Sequence, residues 1–196
     1  MISFFCSEDV SIVIDPFSAD RGLKMPRSQA DIVAVSQEDM DASEVPGEPF
    51  VIEVPGEYES KGAFIYGLPW KQEKSGERTV LYHLKVEDIS IGHIGAIDRV
   101  PEGDVLEALE GIDVLIIPVG NEDILPAKVA AEIVNVIEPR IVVPVNYHVS
   151  GVKAKLSGPE AFLKALGGKG ETTDKLKIVK KDLPTNERHV YLLERT

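Results

Sequence analysis

Ile32-Val33-Ala34-Val35-Ser36-Gln37-Glu38-Asp39-Met40-Asp41-Ala42-Ser43 joins an apolar run to a polar loop with three carboxylates in four positions. The first half reads as a buried strand. A strand that opens abruptly into a polar loop places side chains at a sheet edge, where layered proteins keep their chemistry. The loop holds Glu38, Asp39 and Asp41 but no His or Cys. The strand therefore points to a sheet protein, and the loop marks an edge where chemistry is expected.

The same pattern extends in both directions. Residues 1–6 and 9–14 read as two strands joined by a hairpin, with Asp15-Pro16 closing the second. Residues 17–30, which include Pro26, read as a loop. Residues 49–54 are expected to be a strand closed by Pro55-Gly56, and 63–67 another, followed by a polar loop from Pro69 to Glu77. From Thr79 to Val86 a period of two puts Val80, Tyr82, Leu84 and Val86 on one face, and His83 on the other with Leu81 and Lys85. Glu87-Asp88 turns the chain into Ile89–His93.

After Gly95 the period lengthens. Asp104–Glu110 reads as a short helix stopped by Gly111, and Val114–Val119 as a strand covered on both faces. A helix opening near Pro126 carries Val129, Ile133, Val136 and Ile137 as a stripe and ends before Pro139. Ile141–Val145 is a second buried strand, so strand, helix and strand predict a right-handed parallel crossover. Ser157-Gly158-Pro159-Glu160 reads as a capping box for a helix through Leu166, which Gly167-Gly168 ends. Leu176–Val179 and His189–Leu193 are expected as the last strands, with His189 sharing a face with Tyr191 and Leu193 in a structural role. About ten strands and three helices without a linker predict one α/β layered domain over residues 1–196.

Composition narrows the function. The chain has 196 residues, 43% hydrophobic and 28% charged, with a formal net charge of -12. That charge argues against a nucleic-acid backbone as partner. Cys6 is the single cysteine, expected as a core thiol, so neither an internal disulfide nor a multi-Cys zinc site is available. No apolar run approaches the ~18 residues of a membrane span, and the first residues lack a signal-peptide pattern. A cytoplasmic protein without membrane partners is the expectation.

Ligands of layered α/β folds gather beyond the C-terminal ends of strands. The loops there offer Asp39 and Asp41, then Trp70, Lys71, Gln72 and Glu73, then His93, Ala96, Asp98 and Arg99. Asn121, Glu122 and Asp123 follow the strand at 114–119, and Asn146, Tyr147 and His148 the strand at 141–145. Trp70 reads equally as the wall of a cleft or the cap of a sheet. His148 reads as a loop histidine within reach of the same pocket, and Asp15 as an acceptor of backbone hydrogen bonds in its turn. Neither a Gly-rich phosphate loop, a Gly-x-Ser-x-Gly elbow nor a His-Glu-x-x-His helix is present.

Several segments, in order, resemble a known family. They are Ile14-Asp15-Pro16-Phe17, the strand Ile32–Val35 with its loop, Pro55-Gly56-Glu57-Tyr58-Glu59, Gly67-Leu68-Pro69, His93-Ile94-Gly95, Leu115–Gly120 and Glu138–Pro144. Together they resemble the metallo-β-lactamase superfamily, in the branch of small Zn-dependent hydrolases similar to L-ascorbate-6-phosphate lactonases. The resemblance implies an αββα sandwich with a metal site at the sheet edge. The family's His-x-His-x-Asp-His loop falls on Gln37, Asp39, Asp41 and Ala42, with only the Asp retained. Its next histidine falls at about Gln72, its bridging Asp on Ala96 and its last histidine on Asn146. His93 matches a family residue that is not a ligand.

Carboxamide oxygens are weak neutral ligands, and alanine supplies none. The expectation is a catalytically inactive binding or interaction module of this fold, without a cofactor, acting on a small molecule or protein and open to homo-oligomerisation. The alternative is a hydrolase of small phosphorylated or lactone-like substrates. There Asp39, Asp41, His93, Asp98 and His148 would form a remodelled site for Zn, Mg or Mn.

Overall fold

In the computed structural model, which describes residues 2–6, 10–25 and 28–194, two sheets stack face to face. The smaller contains β1 (Ile2–Cys6), β2 (Val10–Ile14), β3 (Ile32–Ala34) and β4 (Phe50–Ile52), in that order. The β1–β2 pair is antiparallel, as the hairpin reading expected, and β3 and β4 continue the sheet in parallel. The side chain of Cys6, expected in the core, and Pro26, expected in a loop, lie outside the described residues.

The larger sheet begins with β5 (Gly56–Ser60), β6 (Ala63–Lys71), β7 (Arg78–Val86) and β8 (Ile89–His93), all antiparallel neighbours. It continues in parallel through β9 (Val114–Pro118), β10 (Ile141–Val145), β12 (His189–Leu193) and β11 (Glu171–Thr173). The order across the sheet is β11-β12-β10-β9-β8-β7-β6-β5. Among the described residues, three α-helices, α1 (Gly103–Ala108), α2 (Ala127–Ile137) and α3 (Glu160–Leu166), and three short 3-10 turns complete the regular elements.

The period of two decides which face each strand buries. Tyr82, Leu84 and Val86 of β7 meet Ile12 and Ile14 of β2 and Ile32 of β3 between the sheets. Leu81, on the other face of β7, packs with Leu115, Ile117 and Val142 against Ala130, Ile133 and Val134 of α2 and Phe162 of α3. A fully buried Ile or Leu is worth roughly 1.5–3 kcal/mol, so these two layers carry most of the stability. The stripe of α2 is rotated from its expected position. Ala130, Ile133, Val134 and Ile137 are buried, while Val136 is 43% exposed. Most residues of α2 are apolar, so periodicity alone leaves its inward face ambiguous. The outer face of the small sheet carries no α-helix among the described residues. Met25, Val35 and Val45, from loops and 3-10 turns, cover Val13 and Val33 there.

Four local expectations are corrected. β6 runs on through Pro69 to Lys71, where a loop was expected. Pro69 pairs with Val80, whose N–H bonds Ser36 O on the far side, so this is a non-hydrogen-bonded pair. The missing N–H of Pro69 therefore faces the side where β5 has already ended at Gly56↔Gly67. Gly56–Ser60 is a strand rather than a closing turn. The capping box does not form: α3 starts after Pro159 without a side-chain cap, and the N–H of Ser157 is spent on Gly120 O. Leu176–Val179 is not a strand, and the late edge strand is β11 instead. Elsewhere the expected turns hold. Glu87 and Asp88 both take positive φ, as a two-residue hairpin requires, and α2 carries the chain from β9 to its parallel neighbour β10. No helix among the described residues is long and apolar enough to cross a membrane.

Candidate functional site at the sheet edge

The loops after the strands meet at one edge. Val80 N–H and the Thr79 hydroxyl both donate to Ser36 O, which ties the acidic loop to β7. Gly95 follows β8 with φ 49°, and a Cβ there would lie 2.8 Å from Thr79 Oγ1. A side chain at Gly120, after β9, would lie 2.4 Å from Asn146 O. Asn146 itself takes φ 52°, a left-handed conformation that asparagine tolerates better than most residues. These close approaches draw the C-terminal ends of β3, β8, β9 and β10 together, as the strand-end rule predicts, with the start of the antiparallel β7 beside them.

The floor of this edge is a buried polar cluster. Asp15, at φ 52° just past β2, accepts Ser36 N–H at 2.7 Å and the Ser36 hydroxyl at 2.8 Å. The His93 ring donates from Nε2 to the same carboxylate at 2.9 Å, because a carboxylate can only accept. Burial by itself would raise the Asp15 pKa, yet His93 and the Ser36 bonds together hold it below the usual carboxylate value. His93 Nδ1 has no partner among the described residues. Asp15 thus accepts bonds from a loop and a strand distant in sequence, where bonds within its own turn were expected. His93 faces the inter-sheet layer, since its registered neighbours Tyr82 and Ile116 both belong to that core.

The rim is built differently. Asp39 forms an exposed ion pair with Arg21, which also donates to Asp39 O. Asp41 accepts the Ser43 N–H and caps a 3-10 turn at 42–44. The Gln72 carboxamide donates to Ala96 O at 2.7 Å and accepts the Ser75 hydroxyl, so it is spent on its own loops. Gln37 and Ala42 are half-buried, while Asn146 and His148 are exposed. Asp98 holds the Glu73 N–H and the Trp70 indole, and is paired with Arg99. These bonds draw the Asp98 pKa below its ordinary value against the opposing effect of burial. The Arg99 guanidinium lies 4.1 Å from the centre of the Trp70 ring, and Trp70 is buried with the helix-side core. Trp70 therefore caps the sheet.

The edge brings Gln72, Ala96 and Asp98 together, with Asp15, Ser36 and His93 beneath them. Asp39, Asp41 and His148 hold separate positions along the rim. Among the described residues, no three His, Cys, Asp or Glu side chains converge so as to hold a metal ion. The donors actually gathered are a carboxamide already bonded twice and a carboxylate already bonded to Trp70, Glu73 and Arg99. That set does not fit a metal hydrolase centre. Sequence reasoning missed the Asp15–His93 pair, the Arg21–Asp39 pair and the Thr79 bond to Ser36. The signal for the first was Asp15 itself, an acid placed directly after a buried apolar strand. His83, expected at the surface or half-buried and without a chemical role, is instead buried, and it bonds Ser90 Oγ at 2.6 Å. A concavity of about 160 Å3 beside Ile141, Leu176 and His189 lies at the other end of the parallel strands, away from this edge.

Comparison with known proteins agrees with the architecture. Residues 3–146 match the family model described as the beta-lactamase superfamily domain. A UPF0173 metal-dependent hydrolase of Pyrococcus horikoshii is 30% identical over 122 residues, 59% of this chain and 53% of its own. One from Thermococcus onnurineus is 30% identical over 122 residues, 59% of this chain and 54% of that protein. The chain spans about half the length of these curated relatives. A Thermotoga maritima structure, provisionally described as a Zn-dependent hydrolase of the metallo-beta-lactamase superfamily, superposes with a TM-score of 0.81 at 25% identity. That match covers 97% of this chain and 93% of the other. The metallo-beta-lactamase fold protein YhfI of Bacillus subtilis gives a TM-score of 0.58 at 10% identity, over 96% of this chain and 86% of its own. The chain belongs to the metallo-β-lactamase superfamily.

Proposed function

We propose that this protein keeps the metallo-β-lactamase scaffold as a binding or interaction module without metal-dependent catalysis. The observation that carries the reading is the state of Gln72 and Ala96. On the family resemblance these positions correspond to a ligand histidine and the bridging aspartate. Here the Gln72 amide bonds the Ala96 carbonyl, so one position seals the other. With Gln37, Asp39, Ala42 and Asn146 at the remaining ligand positions, only Asp41 retains the family's residue type. A metal-bound water of lowered pKa needs a closely held cation, and these residues supply no set of donors for one.

Elemental analysis of the protein, purified without chelators or a metal-binding tag, tests this. Less than about a tenth of an equivalent of any transition metal, Mg or Ca is expected, and added Zn should barely shift the Tm. One or more equivalents of a single metal, or a rise of many degrees, would overturn it.

The names of the relatives favour a second reading, a metal-dependent hydrolase. In that case Asp39, Asp41, His93, Asp98 and His148 would have to rearrange around Zn, Mg or Mn. A small phosphorylated or lactone-like substrate is the class the lactonase resemblance suggests. A stoichiometric metal whose retention depends on Asp39, Asp41 or Asp98 would establish this reading in place of the first.

A further inference from the structure

The charge of the chain is divided very unevenly. Residues 1–152 carry eleven Lys or Arg against twenty-seven Asp or Glu, while residues 153–196 carry ten against six. The acid-rich part contains the β5 edge of the large sheet and the base-rich part contains its β11 edge.

At the acidic edge β4 and β5 both end their sheets, and the Phe50 and Tyr58 rings meet at 6.1 Å across the gap between them. Phe50 N–H and Ile52 O bond toward β3, so the peptide groups of Val51 face outward. Phe50, Val51 and Val54 are 45%, 40% and 60% exposed, and Glu53, Glu57 and Glu59 stand exposed around them. The nearby Lys61 is already paired with Asp31.

After β11 and Asp174 the chain reads Lys175-Leu176-Lys177-Ile178-Val179-Lys180-Lys181 and passes beneath the parallel strands, where Lys180 pairs with Asp113 just before β9. Leu176 and Ile178 turn into the inter-sheet core, which leaves Lys175, Lys177, Val179 and Lys181 exposed. The result is a cationic strip, closed by a 3-10 turn at Lys180–Asp182, with an apolar residue in it. Its chemistry is the complement of the acidic edge.

We propose that copies of this chain associate head to tail, the β4–β5 edge of one receiving the Lys175–Lys181 strip of the next. Pairing the acidic edge with itself would oppose Glu53 and Glu57 to their own copies, a like-charge contact that costs association. The acidic edge and the cationic strip are different surfaces of the chain, so the contact joins unlike patches. The contact is heterologous and builds a ring or a short filament.

Sedimentation velocity on the full chain over a concentration series tests this. At about 20 mM NaCl the weight-average mass should rise with concentration, and at about 500 mM it should fall toward the monomer. The double reversal Glu53→Lys, Glu57→Lys should weaken association by about tenfold or more, as should Lys177→Glu, Lys181→Glu. An equimolar mixture of the two reversed chains should associate again, since each then offers the complement of the other. All four positions are exposed, so the folds should be intact by circular dichroism; if either reversed chain is not, Glu57→Gln and Lys177→Gln carry the test. A monomer under all conditions, association indifferent to either reversal, or no recovery on mixing would each overturn the proposal. The first of these would mean that the acidic side chains only protect the open edge.

Discussion

Two parts of one sheet edge, adjoining in the chain at Ser36 and Gln37, are built on opposite principles. The floor, Asp15 with Ser36 and His93, is buried, and its single carboxylate takes three hydrogen bonds from two distant segments. The rim, Gln37 to Ala42, is half-buried or exposed, and its acids pair with an exposed arginine or cap a turn. The floor joins a loop of the small sheet to a strand of the large one, so the stacking of the sheets depends on it. The rim touches no second layer through its acids. A scaffold divided in this way can exchange its rim chemistry while the fold persists, because the energetics of the two parts are nearly independent.

The largest effect that would break this contrast is at Asp15. Asp15→Ala strands the Ser36 N–H, the Ser36 hydroxyl and the His93 ring in a buried place. Removing one partner of such a network costs about 3–5 kcal/mol. At this chain length that corresponds to a Tm lower by about 10 °C. Urea or thermal unfolding checks it, and a loss below about 1 kcal/mol would remove the floor's structural role.

Next in size is the response to acid. The folded pKa of Asp15 lies below its ordinary value. Between the folded and unfolded values the unfolded chain binds the extra proton, so the stability this group contributes is complete above about pH 4 and is lost as pH falls below that. Asp31, held at about 2 chiefly by its bond from Lys61 and by those from Ser11, acts in the same direction. The wild type should therefore lose stability more steeply than Asp15→Asn between about pH 4 and pH 2. Parallel curves would show that the carboxylate charge of Asp15 plays no part in the strut.

Sequence legibility follows the same division of energies. β2, β3, β7, β9 and β10 were readable because burial on one or both faces writes itself as alternation or as an unbroken apolar run. β5 was not, because its half-buried positions are Gly56, Tyr58 and Ser60, of which only Tyr58 has a large side chain, while Glu57 and Glu59 stay outside. Leu176–Val179 misled for the converse reason. It alternates because Leu176 and Ile178 reach the core, but it has no strand beside it. Backbone pairing at a sheet edge leaves little trace in side-chain polarity. The site edge was legible as a set of loops, since each followed a readable strand. The Asp15–His93 bond was not, because it joins residues 78 positions apart and a single chain carries no record of which buried acid meets which buried base.

At the rim the expected effects are small. Asp41 accepts the Ser43 N–H and hydroxyl at the head of a single 3-10 turn. Asp41→Ala should cost about 0.5–1 kcal/mol, the low end for a cap, measured by urea unfolding. A loss of several kcal/mol would place the acidic loop within the structural core and blur the contrast.

The smallest effect, and the sharpest test of the rim's independence, is Asp39→Ala. The Asp39 side chain is 62% exposed and that of Arg21 33% exposed. An ion pair in that setting is screened and must hold two flexible side chains in place, so it contributes under about 0.5 kcal/mol. Arg21 also keeps its bond to the Asp39 carbonyl, which the substitution leaves in place. The loop therefore retains its anchor, and unfolding midpoints of Asp39→Ala and wild type should nearly coincide at low salt and converge fully at high salt. If the variant instead loses more than about 1.5 kcal/mol at both salt concentrations, the pair is held by packing that screening does not reach. The acidic loop would then be a structural element like the floor, and its chemistry could not vary independently of the fold.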